Sequence, residues 1–329
     1  MGKRRVSILV CAGVCAVMLC GGLIGCGSAE TDDEVNQERD EATEKTSEEA
    51  TDIQKREDDL PKDSSDSDEK SEAGQRDVSA EIPADEPVLL EGLGISILGD
   101  SISTYDGWIP EGFNVFYPID GELTDVSQTW WKSLIDDTGM ELCANNSSAG
   151  STCIGDSLSI DDPTFGCSDG RLSFLGGSQG RLPDVIVIYM GTNDLLNGVP
   201  IGDNDGTKLV EEGNVENFSD AYCLMLDKLA SYYPTAQIFC CTLAPVGDWG
   251  TDQPFVIFEN HLGLTAEEYS DQIKVIANSK GAAVIDLYHC GITIDNLAEM
   301  TTDGVHLTLV GMERVKNAVF DGLTGAVIR

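Results

Sequence analysis

Gly94-Ile95-Ser96-Ile97-Leu98-Gly99-Asp100-Ser101-Ile102-Ser103 is a short apolar run that stops abruptly at a polar turn. A run of this length bounded by Gly and Asp reads as a buried strand, and its end leaves the Ser101 hydroxyl at the carboxyl edge of a sheet. Open α/β sheets bind ligands at that edge. Working outward, apolar stretches recur at residues 140–144, 185–190, 236–243 and 282–287, with helical patterns at 127–137, 215–233, 265–279 and 308–320. Strand and helix alternate, which predicts a parallel sheet with helices on both faces. Residues 185–190, Val-Ile-Val-Ile-Tyr-Met, are continuously apolar, as a strand buried on both faces should be.

The chain begins differently. Lys3, Arg4 and Arg5 precede an uncharged apolar stretch that ends in Leu23-Ile24-Gly25-Cys26. Residues 1–25 therefore read as an export signal, or alternatively as an uncleaved membrane anchor with its basic end inside. Leu-Ile-Gly-Cys resembles the bacterial lipobox, which implies cleavage before Cys26 and lipidation of that residue on the outer side of the cell membrane. From Gly27 to Glu91 there are 24 acidic and 7 basic residues and hardly a large apolar one. Such a segment cannot offset its ordering entropy by burial, so residues 26–91 are expected to form a lipidated, disordered, self-repelling tether.

Residues 92–329 carry 34 acidic against 10 basic residues, a net charge of −24. That charge disfavours nucleic acid and anionic lipid surfaces as partners, leaving the N-terminal lipid as the expected link to the membrane. The length suits one α/β domain with a substantial core. Seven of the 11 cysteines lie in this part. Cys153 and Cys167 flank a loop rich in Gly, Ser and Asp and are the preferred disulfide pair, while Cys143, Cys223, Cys240, Cys241 and Cys290 read as buried thiols. No Cys/His spacing suggests a metal site.

A serine hydroxyl is a poor nucleophile until a base takes its proton, so a histidine held by a carboxylate is required. His306 sits in Asp303-Gly304-Val305-His306, where the offset lets the carboxylate reach one ring nitrogen while the other faces substrate. His289 follows a strand and His261 lies in a loop; neither is expected to have an acid at a comparable spacing, and both read as structural. Acyl transfer also needs donors aimed at the developing oxyanion. Candidates are the N–H of Ser101, the N–H of Gly150 after the second strand, and the side-chain amide of Asn193 in Gly191-Thr192-Asn193-Asp194 after the third.

Four blocks, Gly99 to Ser103, Asn145 to Gly150, Gly191 to Asp194 and Asp303 to His306, resemble in order those of the SGNH hydrolase, or GDSL esterase/lipase, family. The resemblance implies a three-layer flavodoxin-like fold with a central parallel sheet. It also implies Ser101 as nucleophile, Gly150 and Asn193 completing the oxyanion hole, His306 as base oriented by Asp303, and no cofactor. Leu307 departs from the proline many members have after the histidine. Ser157, Ser168 and Ser178 lie in motif-like surroundings, but none follows an apolar strand as a nucleophile elbow requires. The expected activity is hydrolysis of small acyl esters, acetyl foremost, on carbohydrate. The alternatives are a lipase or lysophospholipase of the same family and a non-catalytic glycan-binding lipoprotein. Among the aromatics after Ser101, Trp108 and Tyr105 are the expected substrate contacts.

Overall fold

The structure, a computed structural model, describes residues 89–155, 165–177, 180–248 and 254–326. The export signal, Cys26, the acidic tether up to residue 88, Ser157 and Ser178 lie outside the described residues. Five parallel strands form the sheet: β1 (Gly94–Gly99), β2 (Glu141–Asn145), β3 (Val185–Tyr189), β4 (Gln237–Cys241) and β5 (Ala283–Ile285), in the order β2-β1-β3-β4-β5. The main helices are α1 (Trp130–Thr138), a short α2 (Asp169–Leu172), α3 (Thr192–Leu196), α4 (Phe218–Tyr232), α5 (Ala266–Lys280), a short α6 (Leu297–Met300) and α7 (Leu309–Gly325).

Alternation along each strand separates two cores. Ile95 and Ile97 of β1, Val185, Val187 and Tyr189 of β3, and Phe239 and Cys241 of β4 point to one face, where they meet Trp130, Trp131, Met312 and Val315 of α1 and α7. Leu98, Ile186, Ile188 and Cys240 point to the other, against Tyr222 and Leu226 of α4 and Tyr269 and Ile273 of α5. This is the period-two pattern of a sheet covered on both sides, giving three layers. α1 packs on α7 and α4 on α5.

Helix boundaries follow capping chemistry. Asn217 accepts from the N–H of Asp220, so α4 starts at Phe218 and not at the expected 215. Thr265 and Glu268 form a reciprocal capping box at the start of α5, and Gly281, at φ 75°, closes it in the left-handed conformation. The stretch between β2 and β3, for which no helical pattern is expected, contains α2.

The strand order reverses at β1: one connection leads outward to β2 and the next leads across to β3. That is the switch point at which the carboxyl ends of neighbouring strands diverge and leave a crevice. Ser101 lies directly at it. Among the described residues no helix is long and apolar enough to cross a membrane.

Candidate active site

The end of β1 is shaped by its glycine. A Cβ on Gly99 would come within 2.6 Å of Ser103 Cβ and 2.9 Å of Ser147 Oγ, so only a hydrogen lets the turn close against the β2 loop. Asp100 caps the following 3-10 turn, Ser101–Ser103, by accepting from the N–H of Ile102 at 3.0 Å. The Asp100 carboxyl is wholly buried, and burial pushes it up to about 6 against the opposing pull of the Ile102 N–H and His306. Ser103 holds the turn to its neighbours: its carbonyl accepts from Asn145 Nδ2 at 2.9 Å and its hydroxyl from Trp130 Nε1 at 3.2 Å.

From the turn before α7 comes the partner of Ser101. His306 Nε2 lies 2.9 Å from Ser101 Oγ, and His306 Nδ1 lies 2.7 Å from Asp303 Oδ2. The other oxygen of Asp303 accepts from the backbone N–H groups of Val305 and His306 at 3.1 and 2.8 Å. Burial alone would raise the Asp303 carboxyl, but the His306 ring and these N–H groups outweigh it and hold it below its ordinary value. An ionised Asp303 places the ring proton on Nδ1 and leaves the Nε2 lone pair facing the serine hydroxyl. Gly304 makes the turn possible: its φ is +89°, and a side chain there would meet the Gly247 backbone at 3.3 Å.

The donors expected at the other two strand ends are held in fixed loops. Gly150 has φ +80° and open space where a side chain would be. Its loop is fastened at Ser148, whose N–H reaches Gly99 O at 3.2 Å, and at Ala149, whose N–H reaches Asn114 O at 2.8 Å. Asn193, in the first turn of α3, donates one amide hydrogen to Ser151 O at 3.0 Å, which leaves the second for a ligand. Asp194 beside it is wholly buried and accepts from the N–H groups of Cys153 and Ile154 at 2.7 and 3.2 Å. Burial raises that carboxyl to about 7.

Other parts of the arrangement were not visible in the sequence. Arg171 of α2 is fully buried and donates to Gly99 O at 2.8 Å and to Asn146 O at 2.8 and 3.1 Å, while Asn146 Nδ2 returns a bond to its carbonyl. It ties the ends of β1 and β2 together. Phe116 lies flat on the His306 ring, with centroids 3.4 Å apart and planes 11° from parallel. Nothing in their spacing signals these long-range contacts.

Three expectations need correction or placement. Cys153 and Cys167 do lie side by side, joined by a backbone hydrogen bond of 3.1 Å, but both are free thiols, as are the other five cysteines of the domain. Burial drives the Cys167 thiol up to about 12 and that of Cys153 well above its usual range. His289 has an acidic partner after all: Asp286 precedes it by the offset seen at His306, and the pair closes at 2.9 Å. It is a surface pair, exposed, with Lys274 also 3.4 Å from Asp286. Of the expected substrate contacts, Tyr105 is 8% exposed and sits in the core, whereas Trp108 is 41% exposed, its ring packed on Trp131 with Lys132 over it.

Ser168, in the most elbow-like of the competing motifs, is fully buried and its hydroxyl has no hydrogen-bond partner. A cavity of about 610 Å³ opens between the ends of α4 and α5 and the start of β4, at the far end of the sheet from Ser101. Among the described residues no group of His, Cys, Asp and Glu side chains is arranged to hold a metal ion.

Residues 93–248 match the model of a family described as GDSL-like lipase/acylhydrolase. A protein of Bacteroides uniformis described as a GDSL-like lipase superposes with a TM-score of 0.52 at 26% identity, over 71% of this chain and 97% of its own. A protein of Bacteroides ovatus described in the same words gives 0.53 at 24%, over 72% of this chain and all of its own. Match and fold together support the GDSL-like lipase/acylhydrolase family. No curated protein matches the chain. The family match ends at residue 248, so Asp303 and His306 enter through the fold, which returns the last loop before α7 to the end of β1.

Proposed function

We propose that this protein is a serine esterase, tethered outside the cell by lipid on Cys26, that removes acetyl or similarly small acyl groups from carbohydrate. The observation that carries the esterase reading is the unbroken line from Ser101 Oγ through His306 to Asp303, with bonds of 2.9 and 2.7 Å. In this reading Ser101 Oγ attacks the ester carbonyl as its proton passes to His306 Nε2. The carbonyl electrons move onto oxygen, which the N–H groups of Ser101 and Gly150 and the amide of Asn193 receive. Collapse of this intermediate expels the sugar oxygen, protonated by His306, and leaves an acyl-serine. Water then attacks that ester with His306 again accepting the proton, and as the bond to Ser101 Oγ breaks His306 returns the proton to it, releasing the carboxylic acid and the free serine.

The carbohydrate reading rests on the expected extracellular tether and on Trp108, a half-exposed aromatic side chain of the kind that packs against sugar rings. Such a contact is remote from the bond broken, so Trp108→Ala should weaken turnover of acetylated sugars and spare p-nitrophenyl acetate.

Ser101→Ala is expected to abolish hydrolysis of p-nitrophenyl acetate and labelling by a fluorophosphonate, while Ser157→Ala leaves both largely intact. A labelled peptide containing Ser157 or Ser168 would move the site elsewhere. Acyl esters of graded chain length then separate the readings, because a preference for long chains would make the protein a lipase. For the tether, Cys26→Ser should block lipid labelling in cells, and mature protein cleaved elsewhere and free of lipid would end that part of the proposal.

A further inference from the structure

Phe116 belongs to a segment that touches the Ser101 turn, the Gly150 loop and the chain that carries His306. The Phe116 N–H donates to Thr104 Oγ1 at 3.0 Å, and Thr104 Oγ1 donates to the carbonyl of Ser101 at 2.9 Å. Asn114 exchanges bonds with the Gly150 loop, its N–H to Ser148 Oγ at 3.2 Å and its carbonyl from Ala149 N–H at 2.8 Å. Tyr117, buried, donates its hydroxyl to the carbonyl of Leu307 at 3.1 Å, immediately after His306, and sets its ring edge-on to the imidazole. The Phe116 ring is thus placed from both sides, by the nucleophile turn and by the chain that carries the base.

Its geometry is specific. At a centroid separation of 3.4 Å the imidazole and phenyl rings overlap almost fully, because ordinary carbon contact of about 3.5–4.0 Å leaves no room for offset. Two neutral rings avoid that sandwich, since their negative faces oppose one another. A cation over an aromatic face is attracted by the same charge distribution. The arrangement is therefore matched to the imidazolium, which in the esterase cycle exists only after His306 has taken the proton of Ser101.

We propose that Phe116 is a positioning residue that holds the His306 ring in line with Ser101 and stabilises it selectively in its protonated, transition-state form. The inference rests on the esterase reading above. An interaction made only with the protonated base is absent from the bound ground state, so its loss should fall on kcat and leave KM in place. A ring that merely filled space would be replaced by an aliphatic side chain of similar volume without that effect.

The test is steady-state hydrolysis of p-nitrophenyl acetate by the parent and by Phe116→Leu, Phe116→Met and Phe116→Tyr, each checked for a parental near-ultraviolet spectrum. Two aliphatic variants are used so that one that misfolds does not remove the comparison. The aliphatic variants should lose about tenfold in kcat with KM within about twofold of the parent, and Phe116→Tyr should recover most of the loss. Parental kcat in a folded aliphatic variant, an equal loss in Phe116→Tyr, or a loss carried by KM would each overturn the inference. A parent inert towards both p-nitrophenyl acetate and fluorophosphonate would instead overturn the esterase reading itself.

Discussion

At Asn193 a single side chain has two tasks that can be separated. One amide hydrogen fastens the loop after β2 through Ser151 O, and in the proposed mechanism the other is left for the oxyanion. Asn193→Ala should reduce kcat on p-nitrophenyl acetate by about 10²–10³-fold, the cost of one such donor, with little change in KM. A loss confined to KM would place the residue in substrate binding. The residues singled out from sequence were the ones whose chemistry is rare in the domain: one serine at a strand end, and one histidine with an acid at a suitable offset. That offset was not sufficient, because Asp286 and His289 repeat it on the surface. What distinguishes His306 is the fold that brings it to β1. Phe116 and Arg171 stayed hidden for the same reason, since a buried arginine in a Gly/Ser-rich stretch shows its partners only in three dimensions.

Among the elements, the central strands β1 and β3 were legible because being buried on both faces writes a continuous apolar run, and the long helices because their apolar spacing repeats. The short α2, α3 and α6 have too few turns to leave a period, and α4 begins late because Asn217 is a better cap than a helical residue. One element links core to site. Trp130, at the first turn of α1, is fully buried and donates from Nε1 to the hydroxyl of Ser103 in the nucleophile turn. Trp130→Phe keeps most of the buried ring and loses that bond, so urea denaturation should show about 1 kcal/mol less stability. Trp130→Ala also opens a cavity and should cost about 3–5 kcal/mol. Equal losses in the two variants would mean that the bond, and not the ring, is what α1 contributes.

For the molecule as a whole, charge and burial act on stability in the same direction with pH. The Asp194 carboxyl, wholly buried between two backbone N–H groups, is raised from 3.8 to about 7, and that of Asp100 to about 6. Between the unfolded and folded values, the native chain keeps protons that the unfolded chain has already released. Unfolding then releases protons, so native stability is greatest below about pH 4 for these two groups and declines as the pH rises through their folded values. Carboxylates held low, such as Asp303, act oppositely, but they titrate below this window. The net charge of −24 on residues 92–329 adds self-repulsion once the acids are ionised. Urea midpoints measured on residues 92–329 should therefore fall from pH 5 to pH 8. Asp194→Asn stays neutral throughout and should flatten part of that fall, its stability relative to the parent improving steadily with pH. A parent midpoint that rises across the interval, or a parallel curve for Asp194→Asn, would mean that Asp194 is ionised in the folded protein at pH 5 and that its two N–H donors outweigh its burial.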